Sequence, residues 1–316
     1  MNDNLNVVVF VGGVGGAKLA LGLQAVVPPE SLTVVVNTGD DFWHYGLRIC
    51  PDIDTVLYTL SGRVNREFGW GVADDSTVTL DALKTLDENP WFLLGDKDMA
   101  THLVRTSRLR AGESLTGIVR RLAQAMGIEA TILPMTDAEV PTMVTTEEHG
   151  TLEFQEYFVK HRWQPRVTEL TYQNMEDAEM TEAVTTALSN ADVVLIGPSN
   201  PLLSIAPILA VPGVRKALMA RDIPRVAVTP IVEGDALKGP AAKLMRELGY
   251  EVSPQAVADF YGDVITGFVS DVRDTALKPH GYDVVSFDTI MKSDADKSRL
   301  AGEILRWVTK RKEKTL

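Results

Sequence analysis

The chain carries a single cysteine, Cys50, among 316 residues, so it can close no disulfide within itself. A protein of this length buries enough core to need no such staple, and a lone thiol fits a reducing compartment. Long apolar runs are missing too. No stretch approaches the roughly 18 apolar residues that a membrane-spanning helix needs. The first apolar run is short, ends in glycines and follows no basic segment, unlike a secretory signal. A soluble, cytoplasmic protein is the expectation. Positive charge is also scarce: 31 Lys and Arg stand against 43 Asp and Glu, a net charge of −12. That balance argues against binding nucleic acid, which requires basic surface to neutralise phosphates. It leaves room for a local cationic pocket that holds a small phosphorylated ligand. The basic run Lys310-Arg311-Lys312-Glu313-Lys314 reads as a solvated helix end.

Several chemical signatures are absent as well. There is no His-x-x-x-His and no cysteine pair, which argues against a zinc site. There is no Gly-x-Ser-x-Gly elbow for a hydrolase triad and no Gly-Lys-Ser/Thr ending of a Walker A loop. No internal repeat or low-complexity segment occurs.

What is present is an α/β rhythm. Asn6–Val11 is a short β-branched run, glycines follow, and Ala17–Val26 places Leu19, Ala20 and Leu23 at helical spacing. Leu32–Val36 is a second strand, so the start of the chain forms a βαβ unit. A helical segment spans about residues 52–127. Within it Asp52 or Asp54 caps a helix beginning near Thr55, and further helices run over Thr77–Leu86, Asp98–Leu109 and Ser114–Met126. Glu129–Leu133 is a third strand. A β insertion spans about residues 138–173: Pro141–Thr146 and Leu152–Val159 flank a turn at Glu147–Gly150, and Val167–Tyr172 adds a strand. The α/β rhythm then returns, with helices over Glu176–Asn190, Gly213–Ala220, Pro240–Leu248, Val257–Tyr261 and Ala295–Arg311. Strands lie at Val193–Ile196, Val226–Val228, Ile265–Val269 and Val284–Phe287. The fold expected is a single Rossmann-like α/β domain over residues 1–316. It has an open, mainly parallel sheet with helices on both faces and a small antiparallel β insertion.

Six strands run into polar or turn-forming loops: Gly12–Gly16, Asn37–Asp41, Pro134–Asp137, Gly197–Pro201, Thr229-Pro230 and Ser270-Asp271. Ligands bind outside the carboxyl ends of strands in such a sheet, so all six loops point to one edge. In Gly12-Gly13-Val14-Gly15-Gly16, glycines let backbone N–H groups approach an anion at a helix N-terminus. The competing reading is a tight structural turn. Lys18, one turn on, either reaches a phosphate or stays solvated; it also replaces the third glycine of a dinucleotide fingerprint. Asp40, Asp41, Asp52 and Asp54 supply carboxylates of the kind that hold magnesium together with substrate phosphates; capping and solvation are the alternatives. Asp98, Thr101, His102 and Arg105 share one polar helix face, which points to solvent or to a site. Ser199 and Asn200, stiffened by Pro198 and Pro201, offer donors to a phosphate or a base edge. Lys238-Gly239-Pro240 offers a second helix N-terminus.

In combination these segments resemble the 2-phospho-L-lactate transferase (CofD/FbiA) family. The resemblance is carried by Val11–Leu19, Asn37–Asp41, Pro51–Leu60, Leu94–Asp98 with Ala100–His102, Leu133–Asp137, Phe154–Glu156, Gly197–Pro201 and Lys238–Ala241, in matching order as far as about Asp274. It implies a magnesium-dependent transferase in the biosynthesis of coenzyme F-420. The acceptor is the ribityl hydroxyl of the deazaflavin Fo. The donor is guanosine diphosphate carrying lactate, enolpyruvate or glycerate, and GMP is released. By resemblance, Gly12, Gly13, Gly15, Gly16, Lys18, Ser199, Asn200 and Pro201 hold the donor. Asp54, Lys97, Asp98 and His102 contact the deazaflavin. Asp40, Asp41 and Asp54 hold the metal, and Asp41 and Asp54 are catalytic. A homodimer is implied as well. YvcK-type regulators, which bind nucleotide sugars, are similar in their core but lack the Pro-Asp-x-Asp-Thr and Gly-Asp-Lys-Asp stretches. A nicotinamide dehydrogenase fits less well, because the second strand ends at Asn37 and not at an acidic ribose clamp.

Overall fold

The computed structural model of the chain describes residues 5–236 and 239–315, with the backbone alone for 312–315. Lys238 lies outside the described residues. Seven strands form the main sheet: β1 (Val7–Val11), β2 (Leu32–Val36), β3 (Thr131–Pro134), β4 (Val193–Ile196), β5 (Arg225–Val228), β6 (Gly267–Asp271) and β7 (Asp283–Phe287). Every neighbouring pair is parallel, and the order across the sheet is 3-2-1-4-5-6-7. This is the Rossmann-like architecture the sequence implies. The order reverses between β1 and β4, and that switch point is where such sheets open a crevice.

Both faces of the sheet are covered, which is why its strands read as unbroken apolar runs. Along β1, Val7, Val9 and Val11 enter one core with Leu19, Leu23, Ile53, Leu57 and Ile304. Val8 and Phe10 enter the other, with Leu188, Val214, Phe154 and Tyr157. The helices over the first core are α1 (Gly13–Gln24), α2 (Pro51–Leu60), α5 (Leu115–Ala125) and the long Asp294–Thr315. Between α2 and α5 lie α3 (Val78–Thr85) and α4 (Asp96–Arg110). Gly22 of α1 rests against the Lys297 carbonyl, leaving no space for a Cβ. The β insertion is a three-stranded antiparallel sheet of Gly150–Glu153, Thr142–Thr146 and Val167–Tyr172, with Thr142–Thr146 central. Phe154, Tyr157 and Val167 tie it into the second core.

Several boundaries differ from the sequence reading. Helix α1 begins at Gly13, so the glycines form its first turn. Helix α2 begins at Pro51 behind Cys50, and neither Asp52 nor Asp54 caps it; proline's fixed φ suits the first helical position. The Leu152–Val159 strand stops at Glu153 and passes into a wide helical turn, Glu156–Lys160, that buries Tyr157. The helix read from Glu176 starts at Glu182, where the Thr181 hydroxyl accepts the Val184 N–H. A hairpin unforeseen in the sequence, Phe42–His44 with Leu47–Ile49, turns through Tyr45 and Gly46, both at positive φ. No helix among the described residues is long and apolar enough to cross a membrane.

Candidate active site

The loops after β1 and β4 meet at the switch point. Ser199 is buried, and its Oγ accepts the Gly12 N–H at 3.1 Å while donating to the Gly12 carbonyl at 2.8 Å. A Cβ on Gly15 would collide with the Pro198 carbonyl oxygen, and one on Gly16 with Ser199 Oγ. These two glycines therefore permit loop-to-loop packing. Gly13 has φ +62, which a side chain would strain, and its N–H donates to Asp52 Oδ1 at 2.6 Å. The N–H groups of Val14 and Gly15, also in the first turn of α1, have no carbonyl one turn back, the arrangement by which helix N-termini bind anions. Lys18 Nζ donates to the Met291 carbonyl at 3.0 Å. Asn200 caps the turn that follows, its Oδ1 accepting the Leu202 and Leu203 N–H groups, and Pro201 is buried in that turn.

Four buried carboxylates follow β2, Asp52 among them against the glycine turn, and three have raised pKa values. Asn37 Nδ2 donates to Asp40 Oδ1 at 3.0 Å and to Asp52 Oδ2 at 2.9 Å, tying the end of β2 to α2. Burial raises Asp40 well above the usual carboxylate range, and the charges of Asp52 and Asp41 add to the rise. Burial pushes Asp52 up to about 6 against its donors Asn37 and Gly13. Burial likewise pushes Asp41 up to about 7, opposed by Arg48. Arg48 Nη2 stands 3.7 Å from Asp41 Oδ2, and neither Asp41 oxygen has a hydrogen-bond partner. Asp54 differs: both its oxygens are bound by Arg105, through Nη1 at 3.1 Å and through Nη2.

The polar face of α4 turns inward onto α2. His102 Nδ1 lies 3.6 Å from Asp54 Oδ2, and its Nε2 lies 3.2 Å from Asp98 Oδ1. The Tyr58 hydroxyl donates to Asp98 Oδ1 at 2.6 Å and contacts Thr101 Oγ1 at 2.9 Å. Burial would raise Asp98, but His102 and Tyr58 hold it below the usual range. Burial, with the charges of Asp54 and Asp98, raises the Tyr58 phenol. Lys97 sits at the front of α4, with its Nζ on the Ala73 and Asp74 carbonyls. Asp75 fastens this end by accepting the Lys97 and Asp98 N–H groups, and Asp96 reciprocates with Ser76, Val78 and Thr79. Asp75 and Arg48 escaped the sequence reading. Asp75 lies some twenty residues from the helix it caps, and Arg48 lies in the unforeseen hairpin.

Among the described residues, Asp54, Asp98 and His102 form the group whose ligand atoms converge. Magnesium prefers oxygen donors over imidazole, and Asp54 is already held by a guanidinium. Asp41 fits that ion better, with two buried oxygens that accept no hydrogen bond, and Asp40 precedes it in sequence. The acidic segment thus touches the glycine turn through Asp52 and the inward face of α4 through Asp54. At that edge β6 also ends in Asp271, whose carboxylate accepts from Thr289 N and Oγ1 and from Arg273 N and Nη1.

A parallel sheet with an anion-ready helix N-terminus and buried carboxylates at its switch point defines a Rossmann-like α/β protein. Solved structures agree on the fold: two crystal structures of a UPF0052-family protein from Bacillus halodurans superpose with TM-score 0.63, at 15% and 16% identity. They cover 96% of this chain and 100% and 99% of theirs. The family model for 2-phospho-L-lactate transferase CofD matches residues 7–301. A 2-phospho-L-lactate transferase of Methanococcoides burtonii is 42% identical over 90% of this chain and 94% of its own. Another, from Methanocaldococcus jannaschii, is 39% identical over 95% and 97%. A phosphoenolpyruvate transferase of Thermobifida fusca is 37% identical over 98% and 100%. The chain belongs to the 2-phospho-L-lactate transferase CofD family and is a transferase.

Proposed function

We propose that this protein joins a guanosine-diphosphate-linked phospho-acid to the deazaflavin Fo in coenzyme F-420 biosynthesis. The group moved is phospho-lactyl, phosphoenolpyruvyl or phosphoglyceryl. The ribityl hydroxyl oxygen forms a new bond to the outer phosphorus, the bond to the bridging oxygen breaks, and GMP leaves with the electron pair. Asp41 or Asp54 receives the hydroxyl proton. The observation that carries the reading is the acidic cluster set against an anion-ready helix N-terminus in a chain of this family. Phosphoryl transfer needs positioning and charge neutralisation more than a covalent nucleophile.

The Val14 and Gly15 N–H groups and the helix dipole would bind the donor's phosphates. Asp40 and Asp41 would hold magnesium, with Asp54 bordering them; when bound, the ion supplies charge neutralisation at the pyrophosphate. Asp54 and Asp98 would face the acceptor hydroxyl and ring. Relatives named for both phospho-lactate and phosphoenolpyruvate leave the donor acid to experiment.

The test mixes the protein with magnesium, Fo and each of the three donors and measures GMP. Release that requires Fo supports the transfer, and the fastest donor identifies the acid. No release with any donor, together with tight binding of a uridine nucleotide sugar, would replace it with the regulator reading. The reading keeps the expectation of a cytoplasmic homodimer, which size-exclusion chromatography with light scattering tests for the oligomer.

A further inference from the structure

Helices α2 and α4 meet across charged side chains at positions where packed helices ordinarily bury apolar ones. Asp54 and Tyr58 lie one turn apart on α2, and Asp98, His102 and Arg105 share a face of α4. The order of burial along this seam is informative. The side chains of Asp98 and Asp54 are 14% and 7% exposed, whereas His102 and Arg105 are 1% and 0% exposed. A substrate arriving from solvent meets the two acids first; the histidine and the arginine stand behind them.

Arg105 holds Asp54 by two guanidinium nitrogens, and its Nη1 also donates to the Arg48 carbonyl at 3.3 Å. The same Nη1 lies 3.1 Å from His102 Nδ1. A guanidinium has only donors, so in this contact Nδ1 is the acceptor and the ring hydrogen belongs on Nε2, which faces Asp98 at 3.2 Å without completing a hydrogen bond. Two helices and the hairpin strand Leu47–Ile49, through the Arg48 carbonyl, therefore converge on one guanidinium.

We propose that Arg105 is a positioning residue for the transfer, fixing both oxygens of Asp54 so that the carboxylate meets the acceptor hydroxyl in a single orientation. His102, wedged between Arg105 and Asp98, keeps the fork in place. The proposal rests on the transferase reading above. The simpler role for the pair is a clamp between helices through charge alone. Lysine supplies the same charge without the planar fork, so it separates the two roles.

In Arg105→Lys, kcat should fall about 10²-fold, the scale on which a misplaced catalytic group acts. KM for the donor should stay within about twofold, since uniform binding is untouched. The double variant Arg105→Lys/Asp54→Asn should turn over no more slowly than Asp54→Asn alone, because the arginine acts through the aspartate. Wild-type kcat in Arg105→Lys, or losses that multiply in the double variant, would overturn the proposal. Should Arg105→Lys fail to fold, nitrogen-15 NMR of the wild-type protein decides: His102 should carry its hydrogen on Nε2, and a hydrogen on Nδ1 overturns the arrangement. A wild-type protein that transfers nothing from any donor, with the expected His102 tautomer, defeats the transferase reading and not the geometry.

Discussion

Asp41 and Asp54 are close in sequence and opposite in circumstance. Asp54 is gripped by a guanidinium, whereas Asp41 is buried with Arg48 at 3.7 Å and the Cys50 thiol as its lowering partners. Burial outweighs both and raises its pKa to about 7, so its charged form opposes folding. Replacing Asp41 with asparagine should therefore stabilise the metal-free protein by about 1–3 kcal/mol, read from urea unfolding at pH 8. The same change should abolish any rise in melting temperature that magnesium gives the wild type. A destabilised Asp41→Asn would show that the attraction of Arg48 outweighs the cost of burial. Asp271 has the reverse character. Burial alone would raise it, but donors from Arg273 and Thr289 hold it below the usual range. A depressed carboxyl stabilises the fold above its unfolded-state pKa and loses that contribution as pH falls through its folded value. Asp271→Asn should cost about 2–3 kcal/mol at pH 7, with the gap to wild type closing as pH falls through the lowered folded-state value. A gap that stays constant with pH would assign the loss to packing.

At the scale of elements, the glycine turn is the part most altered by its surroundings. The sequence reading gave its glycines the task of admitting an anion. The structure adds a second task, the seating of the β4 loop against Gly15 and Gly16. Gly15→Ala should destabilise by about 1–3 kcal/mol through overpacking against backbone that cannot rotate away. Gly13→Ala should cost about 1–2 kcal/mol through its left-handed φ. Urea unfolding of both variants checks the order of magnitude, and a neutral Gly15→Ala would mean that the two loops are not in contact. The strands were legible because parallel strands covered on both faces leave apolar runs bounded by turns. Leu32–Val36 and Val193–Ile196 fall where the sequence places them. The start of α2 was less legible, because Pro51 reads equally as a turn residue and as a first helical residue. The inward face of α4 was visible as a polar stripe at helical spacing. Its partner on α2 was not, since only tertiary packing brings Arg105 to Asp54.

Across the whole molecule, the β insertion is no independent module. Tyr157 is fully buried in the core that also holds Val8 and Phe10 of β1. Tyr157→Ala should cost about 3–5 kcal/mol and lower a single calorimetric transition for the entire chain. Two resolved transitions, with only the smaller one shifted, would show that the insertion melts by itself. The site has the same distributed character. Its carboxylates come from the segment after β2, its anion-ready turn from β1 and its backing loop from β4. Sequence could list these contributors because each ends a strand, but the closure of Ser199 on Gly12 depends on strand order.

The contact between Gly22 and the Lys297 carbonyl has a consequence for biosynthesis. Helix α1 leaves the ribosome before the helix that begins at Asp294, which covers its outer face. Until that segment is made, the glycine turn and the helix behind it lack their outer support. The nascent chain must then hold Leu19 and Leu23 away from aggregation until that helix emerges, the interval in which incomplete domains call on chaperones.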